Sequence, residues 1–339
     1  MQALKKRGRW QAALGVALSL LFIFLAFRRV DFGQMGKALA EADYRYLLPV
    51  LAVVALGLAL RSLRWRYLLA PMRDVATGLL FTSLCIGYMA NTVLPAHLGE
   101  IARAWHAGRK TGVASGSVFA TIIVERLIDV ISLLLLLGLA FLVFPFPGWV
   151  RQSGALMLAL VAALSVLLLL MKKSREKALA CSGRLLRFLP AATSARILGM
   201  LGQFLSGMAP LKRRLHYVQV GILSLLIWAT YAFTFQLLFQ AFGFVDRYRL
   251  PGSAALVAMV ITTISVVVPS SPGYVGSFHF LCQLALGLFS VPKGPALSYA
   301  LILHAVSVFP VFFLGLYFLA RDKLSLRSLR GEGIHAAGD

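Results

Sequence analysis

Five charged residues stand where an apolar chain has little reason to carry them. Glu100 and Arg103 are one helical turn apart, and Glu125-Arg126-Leu-Ile-Asp129 lies within a long apolar run. At helical spacing Glu125 and Asp129 share a face, with Arg126 three residues from Asp129. A charge at membrane depth costs about 3 kcal/mol or more, so each needs a partner or a task. Two uses fit. The five can pair with one another and lock neighbouring segments together. Alternatively, Arg103 and Arg126 offer planar forks of donors to a phosphate, while Glu100, Glu125 and Asp129 hold the arginines or exchange a proton. A carboxylate metal pair at Glu125 and Asp129 is opposed by the intervening Arg126. His97, His279 and His304 are dispersed along the chain, so no metal or other cofactor is expected.

These residues need elements that carry them to depth, and two kinked segments do so. One is Asn91-Thr-Val-Leu-Pro95-Ala-His-Leu-Gly99-Glu100; the other is Ser265-Val-Val-Val-Pro269-Ser-Ser-Pro-Gly273-Tyr274, 174 residues later. Each is an apolar run that ends in Pro with Gly four residues on. Such a break frees backbone groups that lipid cannot satisfy, so it belongs where it lines a cavity. Paired breaks in two halves of a chain point to a transport site. Asn91 and Ser270 or Ser271 can bond the freed groups or act as local caps. The helices expected after Gly99 and Gly273, the second with Tyr274, Ser277 and His279 in its first turns, add positive dipole ends suited to an anion.

Composition agrees with a membrane setting. The 339 residues are 60% hydrophobic with mean hydropathy +0.83. The formal charge of +22 would suggest nucleic acid in a soluble protein, but here Lys and Arg lie between apolar runs and read as topology signals. Cys85, Cys181 and Cys282 are far apart and read as small buried or interfacial residues. Trp10, Tyr46, Trp65, Trp149, Tyr217 and Tyr248 near span ends read as interfacial anchors. The first apolar run is followed by Arg28-Arg29 rather than a cleavage site, so it reads as a retained helix.

Six runs read as full spans: about 10–27, 46–62, 118–145, 154–171, 217–242 and 295–320. Two more, about 77–94 and 252–268, end in the breaks. The segment 172–214 holds ten Lys/Arg, and the N-terminal tail and 61–76 hold four each, which places all three in the cytoplasm. Crossing parity is then met in the first half if 77–112 forms a re-entrant hairpin, and in the second half by either a hairpin over 252–290 or a triple crossing. On the hairpin reading the two dip from opposite faces. This leaves 25 basic residues on the cytoplasmic side, 8 outside and Arg126 within a span, with both termini cytoplasmic. Residues 46–145 and 217–320 become two repeats of opposite topology. The expected fold is an all-α polytopic membrane protein: about six spans plus two re-entrant hairpins in an inverted repeat. In 172–214, residues Ile197, Leu198, Leu201, Phe204, Leu205 and Met208 share a helix face, either lying in the interface or packed on the bundle.

No nucleophile elbow, zinc-protease motif or P-loop is present. At its motifs the chain resembles the lysylphosphatidylglycerol synthase transmembrane-region family of flippase-like proteins. The matching residues are Asn91-x3-Pro95-x3-Gly99-Glu100-x2-Arg103, Glu125-Arg126-x2-Asp129 and Pro269-x-Ser271-Pro272-Gly273-x2-Gly276, within a resemblance that covers roughly 10–320. The chain departs from the family pattern at Ala96-His97, where an Arg often follows the Pro. The resemblance implies translocation of an anionic phospholipid or lipid-linked glycan across the cytoplasmic membrane rather than lysine transfer, since these residues include no aminoacyl-transferase segment. Two other functions remain open: an intramembrane enzyme with Glu125 or Asp129 as general base, and a scaffold for a lipid- or glycan-synthesis enzyme.

Overall fold

The computed structural model describes residues 17–94, 98–145, 173–187, 191–207, 213–266 and 272–324, with Leu211 and isolated positions in 148–171. The described residues are helical, with no strand among them. Helices α1 (Ala17–Phe27), α2 (Phe32–Glu41), α3 (Leu47–Leu69), α4 (Thr77–Val93), α5 (Leu98–Thr111) and α6 (Ser115–Val143) come first. They are followed by α7 (Arg175–Leu185), α8 (Ala191–Gly207), α9 (Arg214–Ala241), α10 (Phe244–Arg247), α11 (Ala254–Thr263), α12 (Ser277–Gly287) and α13 (Lys293–Arg321).

Among the described residues, four helical segments are long and apolar enough to cross a membrane: Tyr44–Leu69, Ser115–Val143, Arg214–Ala241 and Lys293–Arg321. They cover four of the six expected spans. The expected first span is described only from Ala17, and most of 154–171 lies outside the described residues. The apolar helices next to the breaks are shorter. At 1.5 Å per residue the ten residues of α11 reach about 15 Å, half the hydrocarbon thickness.

The span expected to end at residue 62 runs on to Leu69. Apolar residues resume after Arg66, and Arg61 and Arg64 are buried, at 5% and 0% exposure. These two arginines are therefore corrected from loop charges to bundle charges. With Arg103, also fully buried, they leave the cytoplasmic tally, which becomes 22 against 8.

Lipid is as apolar as Leu, so close packing rather than water exclusion holds such helices together. Small residues set the contacts. A Cβ on Gly87 of α4 would lie 2.7 Å from the Arg103 Cβ and 2.9 Å from the Gly99 carbonyl of α5. A Cβ on Gly99 would strike the Gly87 carbonyl and lie 2.5 Å from the Asn91 Oδ1. Gly99→Ala is thus expected to force α4 and α5 apart and destabilise by about 1–3 kcal/mol. Gly138→Ala on α6 meets nothing within 4 Å among the described residues and is expected to leave stability unchanged or slightly raised. Paired thermal unfolding in detergent checks the contrast, and equal shifts would refute it.

The helices pair in an ordered way. Helix α3 packs along α9; α4 packs on α5 and α13; α11 packs on α12 and α6; α5 packs on α6, and α12 on α13. The amphipathic α8 packs on α6, with Leu201, Phe204 and Leu205 against Ala120 and Val124. Of the two readings of this segment, packing on the bundle is the one observed for that face. Ile197 at its far end is exposed, and Met208 lies outside the described residues.

Candidate functional site

Helices α3, α5 and α6 bring seven charged side chains into one cluster. Arg103 of α5 forks onto Glu125, Nη2 to Oε2 at 2.8 Å and Nη1 to Oε1 at 3.3 Å. Arg61 donates to Asp129 at 3.0 Å and Glu125 at 3.4 Å, and through Nε to the Tyr231 hydroxyl at 2.6 Å. Arg64 donates to Asp129 at 2.7 Å and to Ser224 of α9 at 3.0 Å. Arg126 lies 3.3 Å from Glu100, 3.4 Å from Glu125 and 3.5 Å from Asp129. The indole of Trp65 lies under the Arg103 guanidinium at 3.7 Å and donates to Thr121 at 2.9 Å.

Among the described residues, four guanidinium groups thus face three carboxylates, a surplus of one positive charge. Burial makes such a cluster strict: an ion removed from water is tolerated only while its partners stay. Arg61, Arg64, Arg103, Glu125 and Asp129 are buried. Arg126 is the open member, its side chain 33% exposed. Its Nη2 also reaches the Tyr88 hydroxyl at 3.4 Å, while its Nε makes no hydrogen bond among the described residues.

The first break sits against this cluster. Asn91 Oδ1 accepts from the Gly99 N–H at 2.8 Å, closing α4 onto the start of α5. Glu100 and Arg103 follow in the first turn and a half of α5, so the break sets their depth. Pro95, with Ala96 and His97, lies outside the described residues.

The second break comes to the first. Gly273, in a short 3-10 turn with φ 71°, lies against Thr92 at the end of α4; a Cβ there would be 3.5 Å from the Thr92 methyl. Tyr274 lies within electrostatic reach of Arg126 and Glu100. The helix after Gly273 begins at Ser277, because Gly276 at φ 95° interrupts the backbone first; Ser277 and His279 occupy its first turn and Tyr274 does not. Pro269 and Ser271 lie outside the described residues.

Three sequence expectations change. His279 and His304 are not dispersed: their rings meet edge-on with centroids 4.8 Å apart, because α12 folds back on α13. His304 Nε2 donates to the Gly273 carbonyl at 2.8 Å, and His279 Nδ1 accepts from the Gly276 N–H at 3.3 Å. Both therefore serve the second break. Trp65 is no interfacial anchor: it is fully buried under Arg103. Arg61, Arg64, Tyr88, Ser224 and Tyr231 join the site without having been singled out. The signal for the arginines was present, a basic pair at i,i+3 with apolar residues resuming beyond it. Among the described residues no group of three or more His, Cys, Asp or Glu could hold a metal ion.

This arrangement lies within a recognised sequence pattern. Residues 12–315 match the family described as Lysylphosphatidylglycerol synthase TM region. The chain belongs to this family. The chain is 26% identical over 249 residues to Glycosyltransferase AglD of Haloferax volcanii, covering 65% of this chain and 40% of that protein. The chain thus spans about two fifths of the length of the relative it matches. No solved structure matches it.

Proposed function

We propose that this protein moves an anionic phospholipid or lipid-linked sugar between the leaflets of the cytoplasmic membrane, with the phosphate passing the Arg103–Arg126 cluster and the acyl chains remaining in lipid. The observation that carries this reading is the surplus positive charge of the cluster, placed at the meeting of two helix breaks and exposed at Arg126. A phosphate there would neutralise the surplus and engage the open guanidinium.

The architecture supports transport. Helices α4 and α5, and α11 and α12, are short helices joined across a break, which suits re-entrant hairpins rather than crossings. The pairings of one half recur in the other: α4 on α13 answers α11 on α6, α5 on α6 answers α12 on α13, and α3 meets its own counterpart α9. This recurrence supports reading 46–145 and 217–320 as an inverted repeat. The basic tally of 22 against 8 favours cytoplasmic termini. Membership in a lysylphosphatidylglycerol synthase family and the likeness to a glycosyltransferase both favour a lipid or lipid-linked glycan.

Catalysis is less favoured, because Glu125 spends both oxygens on Arg103 and holds neither toward a reacting group. The test is a fluorescent anionic lipid in proteoliposomes, with an impermeant quencher reading the outer leaflet. Wild-type protein is expected to expose the protected pool faster than protein-free liposomes. Equal rates would overturn the reading, and a chemically altered lipid by mass spectrometry would replace it with an enzyme.

A further inference from the structure

A second polar site lies at the other end of α5. Glu100, Arg103, His106 and Lys110 follow one another at three- and four-residue spacing, so they form one stripe along the helix, about 15 Å from first to last. The stripe runs from the central cluster to a cavity of about 480 Å³ between α4, α5 and the end of α13. Thr82, His106, Lys110, Phe318, Arg321 and Asp322 line it.

One carboxylate holds the lining cations. Asp322 Oδ2 accepts from His106 Nε2 at 3.0 Å and lies 3.1 Å from Lys110 Nζ; Oδ1 accepts from Arg321 Nε at 3.3 Å. Arg321 also donates to Thr82 at 3.3 Å and sits over the Phe318 ring at 4.8 Å. His106 is oriented from behind by the Ser83 hydroxyl, 2.8 Å from Nδ1. Two permanent cations and a ring N–H thus converge on one small anion beside open space.

We propose that this cavity is a binding site for a phosphate group, in which Asp322 holds the place of the ligand and yields Lys110, His106 and Arg321 to it. The donors suit tetrahedral oxygens: a fork from Arg321, an ammonium from Lys110 and a ring N–H from His106. The volume exceeds that of phosphate alone, which leaves room for a glycerol or sugar substituent. Asp322 follows the last residue of α13 and precedes Lys323, whose φ is 54°, so it stands on a turn rather than within the helix. Burial would raise the Asp322 carboxyl, but hydrogen bonds from His106 and Lys110 outweigh it and hold it at about 2. It therefore stays ionised near neutrality and competes with a phosphate as an anion.

The test reads binding alone, so it stands or falls separately from translocation. The full chain in neutral detergent is treated with an amine-acylating reagent, and modification of Lys110, 44% exposed, is followed by mass spectrometry. Soluble dihexanoyl phosphatidylglycerol and inorganic phosphate are the two probes. Protection by the lipid alone identifies a head-group site, equal protection by inorganic phosphate identifies a free-phosphate site, and protection by neither overturns the proposal. Arg321→Gln is expected to weaken protection about tenfold. Asp322→Asn is expected to strengthen it about tenfold, because the competing charge is gone while the shape remains. A merely structural Asp322 would give weaker or unchanged protection in that variant, and that outcome also overturns the proposal.

Discussion

Glu125→Ala is expected to lower stability by about 3–5 kcal/mol, seen as a fall of roughly 4–7 °C in apparent melting temperature in detergent. Glu125 is fully buried and lies within 3.7 Å of four guanidinium groups, those of Arg61, Arg64, Arg103 and Arg126. Its removal leaves four cations facing only Glu100 and Asp129. Arg103 loses its sole forked carboxylate partner and cannot turn to water, because it is pinned against Trp65. The comparison is Glu100→Ala. Glu100 is 14% exposed and its nearest cation is the open Arg126 at 3.3 Å, which can solvate instead. Its removal is expected to cost about 1 kcal/mol. Equal losses for the two variants would contradict the claim that burial governs this cluster.

Arg126→Ala is expected to separate lipid translocation from stability. Translocation in proteoliposomes should fall about 10- to 100-fold, the value of one or two charge-assisted hydrogen bonds to a phosphate. Stability should stay close to wild type, because the variant changes four cations against three anions into three against three. The cluster is then neutral, and the lost side chain is its most exposed. Arg126→Lys keeps the charge without the fork and is expected to recover only part of the rate. A variant that unfolds would instead make Arg126 structural, and a variant that transports at the wild-type rate would remove it from the path. Lipid flux and melting temperature on the same preparations separate the three outcomes.

Much of this geometry was legible in the chain. Charged residues inside apolar runs have few physical excuses, so Glu100, Arg103, Glu125, Arg126 and Asp129 could be named from composition and spacing alone, and all five are in the cluster. The Pro-x3-Gly breaks could be found because few other features interrupt such runs. The remaining members were hidden for a different reason. Arg61 and Arg64 lie at the edge of an apolar run, where a window of hydropathy cannot tell a loop charge from a buried one. Only their partners on α6 decide, and those are 61 to 68 residues away. The same limit applied to His279 and His304, adjacent in space only because α12 folds back on α13. The 174-residue offset between the breaks held more than was read from it: it carries Glu125 onto Tyr299 and Arg61 onto Phe235. Tyr299 donates to the Phe235 carbonyl at 2.9 Å within an aromatic cluster. One half thus places charge where the other places rings.

The most direct measurement joins the two breaks. Thr92→Cys with Gly273→Cys, in a chain whose Cys85, Cys181 and Cys282 are replaced by Ala, puts two thiols where Thr92 and Gly273 are in contact. Oxidation is expected to form an intramolecular disulfide and to stop lipid translocation in proteoliposomes, with the rate restored by reductant. Failure of the disulfide to form in folded protein, or an oxidised protein that moves lipid as fast as the reduced one, would contradict a path that runs between the breaks.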